Sequence, residues 1–398
     1  MNLNEKTKFA FTHEDSLIKE LNFNPYYQEI SSGAELYMQI GDRKYLNLAA
    51  NNYLALSHHP KVIAAMKKAL DSYGASMCGT PIACGNVDIY QLAVRKIAAF
   101  VGLTNAILYP SCYQANIAVI NALIKPTDIA FVDRFAHSSL IEGIKSTGCK
   151  IKPFKHNDMN HLEKLINHSE SYSSRFVITE SVFSTEGSIA PFNAINALAK
   201  KYGLIPIIDD SHGIGVIGRT GRGILEEKQI TEFSGIYTAS IGKALGIAGG
   251  VVAGNQQLIE FLKYSSPGLI YSTSIPPVLI AGIITALDVV TEMGDNYVKK
   301  LAKAKKYIYD NLQKLGLKLS VGEAFICSVI CGSNLATFQL CKALYEKQII
   351  TTPFIYPSVS KNKGIVRMIL RIDLEQQQLD EIIEAFAEVA RDYPEYCS

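Results

Sequence analysis

Residues 205–213 read IPIIDDSHG, and residues 235–246 read GIYTASIGKALG. Each begins as a short apolar run and ends in polar residues and glycine, the pattern of a buried strand that stops at a turn. Runs of the same kind lie on either side: AILYP at 106–110, IAFVD at 129–133, RFVITES at 175–181 and GGVVAG at 249–254. Helical stretches such as Ala194 to Tyr202 separate them. Strands alternating with helices predict an α/β fold, a mostly parallel sheet covered on both faces by helices.

The flanks read differently. Residues 1–48 carry one amphipathic stretch (Leu17, Ile18, Leu21) and a Tyr-rich segment at Tyr26 and Tyr27, and are expected to form an arm. The run PKVIAAMKKALDSYG from Pro60 has apolar residues at helical spacing and stops at Gly74. Past Pro276 and Pro277 one long helical pattern runs towards Leu312, followed by strand-like FICSVI and ILRID and a closing helix, Leu379 to Ala390. The expected organisation is the arm (1–48), a large domain (49–285) and a small C-terminal α+β domain (286–398).

Composition narrows the function. The 398 residues include 39 Lys+Arg against 37 Asp+Glu, 48% hydrophobic and 19% charged residues, which is a globular balance. With a net charge of +2 and no basic block, the chain is not expected to bind nucleic acid. No run approaches the roughly 18 apolar residues of a membrane span, and MNLNEKTKFAFTHEDSLIKEL lacks the apolar core of a secretory signal, so a soluble cytoplasmic protein is expected. The eight cysteines show no CxxC pair and no zinc spacing, and are expected to be reduced and mostly buried, with no metal site.

Ligands of open α/β sheets sit beyond the carboxyl ends of the strands. There the sequence offers Asp209, Asp210 and His212 after one run, and Lys243 between Gly242 and Gly246 after another. The first group also suits an ordinary turn or helix cap, and the lysine an ordinary surface loop. A lysine at a strand end can act as an amine nucleophile towards a carbonyl. With pyridoxal 5'-phosphate it would need an acid that keeps the pyridine nitrogen protonated, which Asp209 suits. It would also need a phosphate cradle of small residues at a helix N-terminus, the form of Pro110 to Asn116 after AILY. Within that segment Ser111 equally suits a plain N-cap and Tyr113 the core. A ring to stack on the cofactor is offered by His137, just past IAFVD, a position that also suits a structural hydrogen-bonder.

Taken in order, these segments resemble the α-oxoamine synthase family of fold-type I pyridoxal-phosphate enzymes, which includes 2-amino-3-ketobutyrate CoA ligase, 8-amino-7-oxononanoate synthase and serine palmitoyltransferase. The resemblance runs from NNYLAL (51–56) through SCYQAN (111–116), DRFAHSSLIEG (133–143), ESVFSTEGSIAP (180–191), DDSHGIGVIGRTGRG (209–223), SIGKALG (240–246) and YSTSIPP (271–277) to VRMIL (366–370). It implies that Lys243 forms the Schiff base, Asp209 pairs with the pyridine nitrogen, His212 bonds the ring's phenolic oxygen and His137 stacks on the ring. It gives the phosphate to the amides of Cys112 and Tyr113 with Ser240, and places Ser184 beside the cofactor and Asn51 near the substrate. Ser272 and Thr273 match a segment that reaches the phosphate of the neighbouring subunit, which implies a homodimer with active sites at the interface. Arg367 matches the family arginine that grips the amino-acid carboxylate, a task suited to its planar fork.

The implied reaction condenses an amino acid with an acyl-CoA thioester, usually with loss of carbon dioxide, to give an α-amino ketone. Two departures fall near the substrate. Pro81 stands where most members carry an arginine, and Leu370-Arg371-Ile372-Asp373-Leu374 stands where most have a His-Thr pair. Both features are also missing in the α-hydroxyketone quorum-sensing autoinducer synthases of the family, which the chain resembles as well. Aminotransferases share the fold, the lysine and the aspartate, but usually place an aromatic ring where this chain has His137. A non-catalytic regulatory relative would be expected to have lost Lys243.

Overall fold

Each apolar run singled out above forms a strand in the computed structural model of the protein, which describes Leu3 and residues 12–169, 172–356 and 358–393. Contacts divide the chain into two units: residues 51–184 with 188–301, and residues 1–50 with 185–187 and 302–398.

The larger unit is built on seven strands, β1 (Asn105–Tyr109), β2 (Ile129–Asp133), β3 (Lys150–Phe154), β4 (Arg175–Glu180), β5 (Ile205–Asp209), β6 (Ile236–Ser240) and β7 (Gly250–Gly254). Their order across the sheet is β1-β7-β6-β5-β4-β2-β3, and only β7 runs against its neighbours. The parallel strands are nearly continuous runs of Ile, Val, Ala and Phe because they are buried along their length. β3 was not expected from the sequence. It is an edge strand, KIKPF, whose lysines and Pro153 break the apolar pattern that reveals its neighbours.

Helix α1 (Cys112–Leu123) packs beside α2 (Ser138–Thr147), and its Ala115, Ala118 and Val119 join Ile107, Val132, Ile178, Ile207 and Val252 in one core. The helix from Pro60 ends at Tyr73, with Gly74 at φ +73° as the stop. The single long helix expected after Pro277 is two, Pro277–Met293 and Asn296–Lys314, because Gly294 takes φ +65° and ends the first. No single helix among the described residues is long and apolar enough to cross a membrane.

The smaller unit holds an antiparallel sheet in the order 326–332, 364–369, 352–354, and the hairpin 37–47 extended by Ile349–Ile350. The helix Thr12–Leu21 places Leu17 in a cluster with Phe338 and Ile355. The strand expected at ILRID lies earlier, Gly364–Ile369. After it Arg371 turns inward, 1% exposed, gripping both carboxylate oxygens of Asp373 at 2.9 and 2.7 Å and the carbonyls of Ala34 and Glu35 at 3.1 and 2.8 Å. Cys112, Cys149, Cys327 and Cys341 are buried thiols, Cys331 is half-buried, and Cys78 and Cys84 are exposed. Cys397 lies outside the described residues.

Candidate active site

Because β1, β2, β5 and β6 run in one direction, their carboxyl ends gather the candidate residues on one side of the larger unit's sheet. β5 ends on Asp209, 4% exposed. Its Oδ2 accepts from Asn116 Nδ2 at 2.7 Å and its Oδ1 from the Ser211 backbone N–H at 3.0 Å. Cys112 Sγ stands 3.9 and 4.0 Å from the two carboxylate oxygens, and Ser211 Oγ donates to it at 3.3 Å. The Ser240 N–H donates to that same hydroxyl at 2.9 Å, so the ends of β5, β6 and the start of α1 are laced together. Burial first, and then the Asp209 charge, push the Cys112 thiol well above its ordinary pKa, which keeps it protonated beside the carboxylate.

Ser111 is an N-cap, its Oγ accepting from the Gln114 N–H at 3.2 Å. Ahead of that bond, the Cys112 and Tyr113 amides are the first two of the helix and have no hydrogen-bond partner among the described residues. Gly250, where β7 begins, runs against them: a Cβ there would lie 2.4 Å from Cys112 N and from Ser111 C. Tyr113 is not core. It is 44% exposed, and its hydroxyl donates to the Glu142 carboxylate.

Lys243 lies three residues past β6, half-buried, in a turn closed by Gly246 N–H to Lys243 O at 3.0 Å. Of the flanking glycines, Gly246 is the one the geometry demands, with φ +71° and room for no Cβ because Ser57 N would be 2.5 Å away. Gly242 would meet only ordinary contacts.

His137 caps α2 with its own ring. Its Nδ1 accepts from the Ser139 N–H at 3.3 Å and lies 2.8 Å from Ser139 Oγ. Burial lowers its pKa more than the nearby Asp209 charge raises it. The Tyr113 ring meets it edge-on at 6.4 Å between centroids. His212 is 3% exposed and its Nδ1 lies 2.9 Å from the hydroxyl of the fully buried Tyr53. The paired carboxylates of the sequence separate here. Asp210 faces away from the cluster and accepts from Tyr237 Oη at 2.8 Å and the Ile224 N–H at 3.0 Å, while burial pushes its carboxyl up to about 7.

Among the remaining candidates, Asn51 precedes Tyr53 by two residues, and its buried Oδ1 has no hydrogen-bond partner among the described residues. Ser184 is half-buried in a loop pinned by the Val182–Ile189 bridge and by Phe183 N–H to Ser188 O at 3.0 Å. Half-buried Ser272 and exposed Thr273 precede Ser274, whose N–H donates to Gly79 O at 3.0 Å. Pro81 opens a π-helix, Pro81–Gly85, and borders a cavity of about 250 Å³ with Ile82, Tyr90, Tyr264 and Leu269. In the smaller unit, Arg367 is 6% exposed with its guanidinium 4.7 Å over the Phe354 ring.

Sequence reasoning missed Tyr53, Asn116, Ser139 and Ser211, all of which sit inside the quoted motifs. A signal existed for Asn116: four residues after Cys112 on a helix, it shares that residue's face. Chemically the larger unit brings together an amine, a buried carboxylate, a neutral imidazole and a pair of outward amides that suit an anion.

Comparison with known proteins gives concordant results. The aminotransferase class I and II family model matches residues 43–386. The mitochondrial 2-amino-3-ketobutyrate coenzyme A ligase of Mus musculus is 34% identical over 347 residues, covering 87% of this chain and 83% of that protein. The 8-amino-7-oxononanoate synthase of Thermoanaerobacter pseudethanolicus is 32% identical over 353 residues, covering 88% and 89%. Among solved structures, the serine palmitoyltransferase of Sphingomonas wittichii superimposes with a TM-score of 0.93 at 25% identity, covering 98% of this chain and 99% of that one.

Proposed function

Since the chain belongs to the aminotransferase class I and II family, we propose that it is a pyridoxal-phosphate-dependent C-acyltransferase of the α-oxoamine synthase type, acting on an amino acid and an acyl-CoA. The observation that carries this reading is the placement of Asp209 and Lys243 at the ends of adjacent parallel strands, with unpaired helix amides beside them.

The residues present fit the cofactor. The Cys112 and Tyr113 amides, in a cradle that a Cβ at Gly250 would fill, and Ser240 would hold its phosphate. Lys243 would attach to its aldehyde carbon, and Asp209 would hold a proton on its pyridine nitrogen. His137 would cover one ring face, and His212 would bond the phenolic oxygen, with Ser184 beside it. The bound cofactor supplies an electron sink for the carbanion formed when the amino acid loses its α-proton.

The rest is the work of this chain. Lys243 Nζ would serve as the base that takes the α-proton of the amino acid. Asp209, fixed by two N–H donors, would keep its carboxylate in place to hold the proton on the pyridine nitrogen. Arg367 is assigned to the substrate carboxylate and Asn51 to the substrate, while Ser272 and Thr273 are assigned to the phosphate of a second subunit in a homodimer.

An absorbance spectrum, followed by CoA release from acetyl- to palmitoyl-CoA with glycine, serine, alanine and 2-aminobutyrate, tests the reading. The expected protein is yellow and releases CoA with one pair. Amino-group exchange with keto acids and no CoA release would make it an aminotransferase. Lys243→Ala protein is expected to lose the visible band and CoA release together; a band that persists unchanged removes Lys243 from its role.

A further inference from the structure

Asn116 is 1% exposed and spends both of its amide hydrogens inside the site, one on Asp209 Oδ2 at 2.7 Å and one on Ser139 Oγ at 3.0 Å. A carboxylate can only accept, so the nitrogen end of the amide must face Asp209, and the oxygen end is left with no partner among the described residues. Ser139 Oγ, having accepted from Asn116, has one hydrogen to give, and the atom it meets is His137 Nδ1 at 2.8 Å. The Ser139 backbone N–H points at the same ring nitrogen from 3.3 Å. Nδ1 thus faces two donors and carries no proton itself, which leaves the imidazole hydrogen on Nε2.

We propose that Asn116 is a positioning residue that, through Ser139, fixes His137 as the neutral tautomer protonated on Nε2, using the Asp209 carboxylate as the anchor of the relay. The first two directions follow from the Asp209 carboxylate, and the last is set by the Ser139 backbone N–H that already points at His137 Nδ1. Asp209 accepts, Asn116 donates, Ser139 accepts and donates, and His137 accepts. The result is one fixed donor, Nε2–H, on the ring assigned to cover the cofactor face. That assignment rests on the function proposed above, whereas the relay rests on these contacts alone.

The test is histidine-side-chain ¹⁵N NMR on the full-length protein, both free of cofactor and loaded with pyridoxal phosphate. In the unsubstituted protein His137 is expected to show an unprotonated Nδ1 and a protonated Nε2 in both states. Asn116→Asp is the same size, shares one proton with Asp209 across the 2.7 Å contact, and has no N–H for Ser139. The serine hydroxyl then turns to the new carboxyl group, so Ser139 Oγ accepts from the ring and His137 shifts towards the Nδ1-protonated form. Ser139→Ala is expected to release the same lock, and Ser139→Thr, which keeps the hydroxyl, to restore it. An Nδ1–H signal in the unsubstituted protein, or an unchanged tautomer in both Asn116→Asp and Ser139→Ala, overturns the proposal. Failure of the protein to bind pyridoxal phosphate or release CoA would sink the proposed function but leave the tautomer result standing. Circular dichroism identifies an unfolded variant, in which case the Ser139 pair decides.

Discussion

Tyr53 Oη stands 2.9 Å from His212 Nδ1, across 159 residues of chain, and both side chains are buried. The contact ties the first motif of the larger unit to the loop that follows its central strand, and it helps orient the His212 imidazole. Tyr53→Phe removes that hydrogen bond while keeping the ring. The variant is expected to bind pyridoxal phosphate but to lose about tenfold in kcat/KM, the equivalent of ~1.4 kcal/mol of positioning. Equal kcat/KM for the two proteins would reduce Tyr53 to core packing.

Gly250 provides a second test. Its missing Cβ would sit 2.4 Å from backbone atoms of Ser111 and Cys112, so Gly250→Ala has to push the start of α1 away from β7. The amide pair assigned to the phosphate moves with it. Titration followed at the visible band is expected to show pyridoxal phosphate binding weakened by about tenfold or more, within reach of what an anion gains at a helix N-terminus. Unchanged affinity in a folded variant would place the phosphate elsewhere.

The burial of Asp210 carries a pH signature. Its carboxyl titrates near 3.8 in an unfolded chain and near 7 when folded, so between these values the folded state binds the extra proton. Stability contributed by this group is therefore greatest at low pH, falls as the pH rises from about 4 towards 7, and is constant above that. The loss amounts to at most roughly 4 kcal/mol. Asp210→Asn should flatten that slope in chemical denaturation series between pH 5 and 8. A slope identical to that of the unsubstituted protein would assign the dependence to another group.

Arg371 is expected to matter for folding and not for chemistry. Its guanidinium holds Asp373 and the carbonyls of Ala34 and Glu35 at 1% exposure, so it binds the segment before the first hairpin to the C-terminal part of the smaller unit. Arg371→Met takes the guanidinium away from all three, and Glu35 O keeps its bond from Asn47 Nδ2 at 2.9 Å. Denaturant unfolding should show a loss of about 2–4 kcal/mol, while CoA release per folded molecule stays unchanged. A drop in turnover at unchanged stability would instead put Arg371 in the reaction.

The strands that carry the site were legible in the sequence because a parallel sheet buries its strands along their length, which writes each as an unbroken apolar run ending at a turn. The same logic located Asp209, Lys243, His137 and His212, each placed just past such a run. Where the apolar signal was diluted, the reading failed. The edge strand KIKPF has only one of its five positions buried, and the helix break at Gly294 rests on one residue's left-handed backbone inside a continuous helical pattern.

Sequence by itself determined the buried strands of the larger sheet and the set of groups available at their ends, since both follow from local periodicity and from where a strand must stop. It named Asp209 for the cofactor, but local pattern alone did not decide which of Asp209 and Asp210 enters the cluster. Adjacent residues at a strand end point to opposite sides, and only the packed sheet says which side holds Asn116 and Cys112 and which holds Tyr237. Nor could it show the relay from Asp209 to His137 or the Tyr53–His212 contact. Apart from the Ser139–His137 contact, these bonds join residues well separated in the chain, and hydrogen bonds of 2.7–3.0 Å exist only once the core has fixed the backbones that carry them.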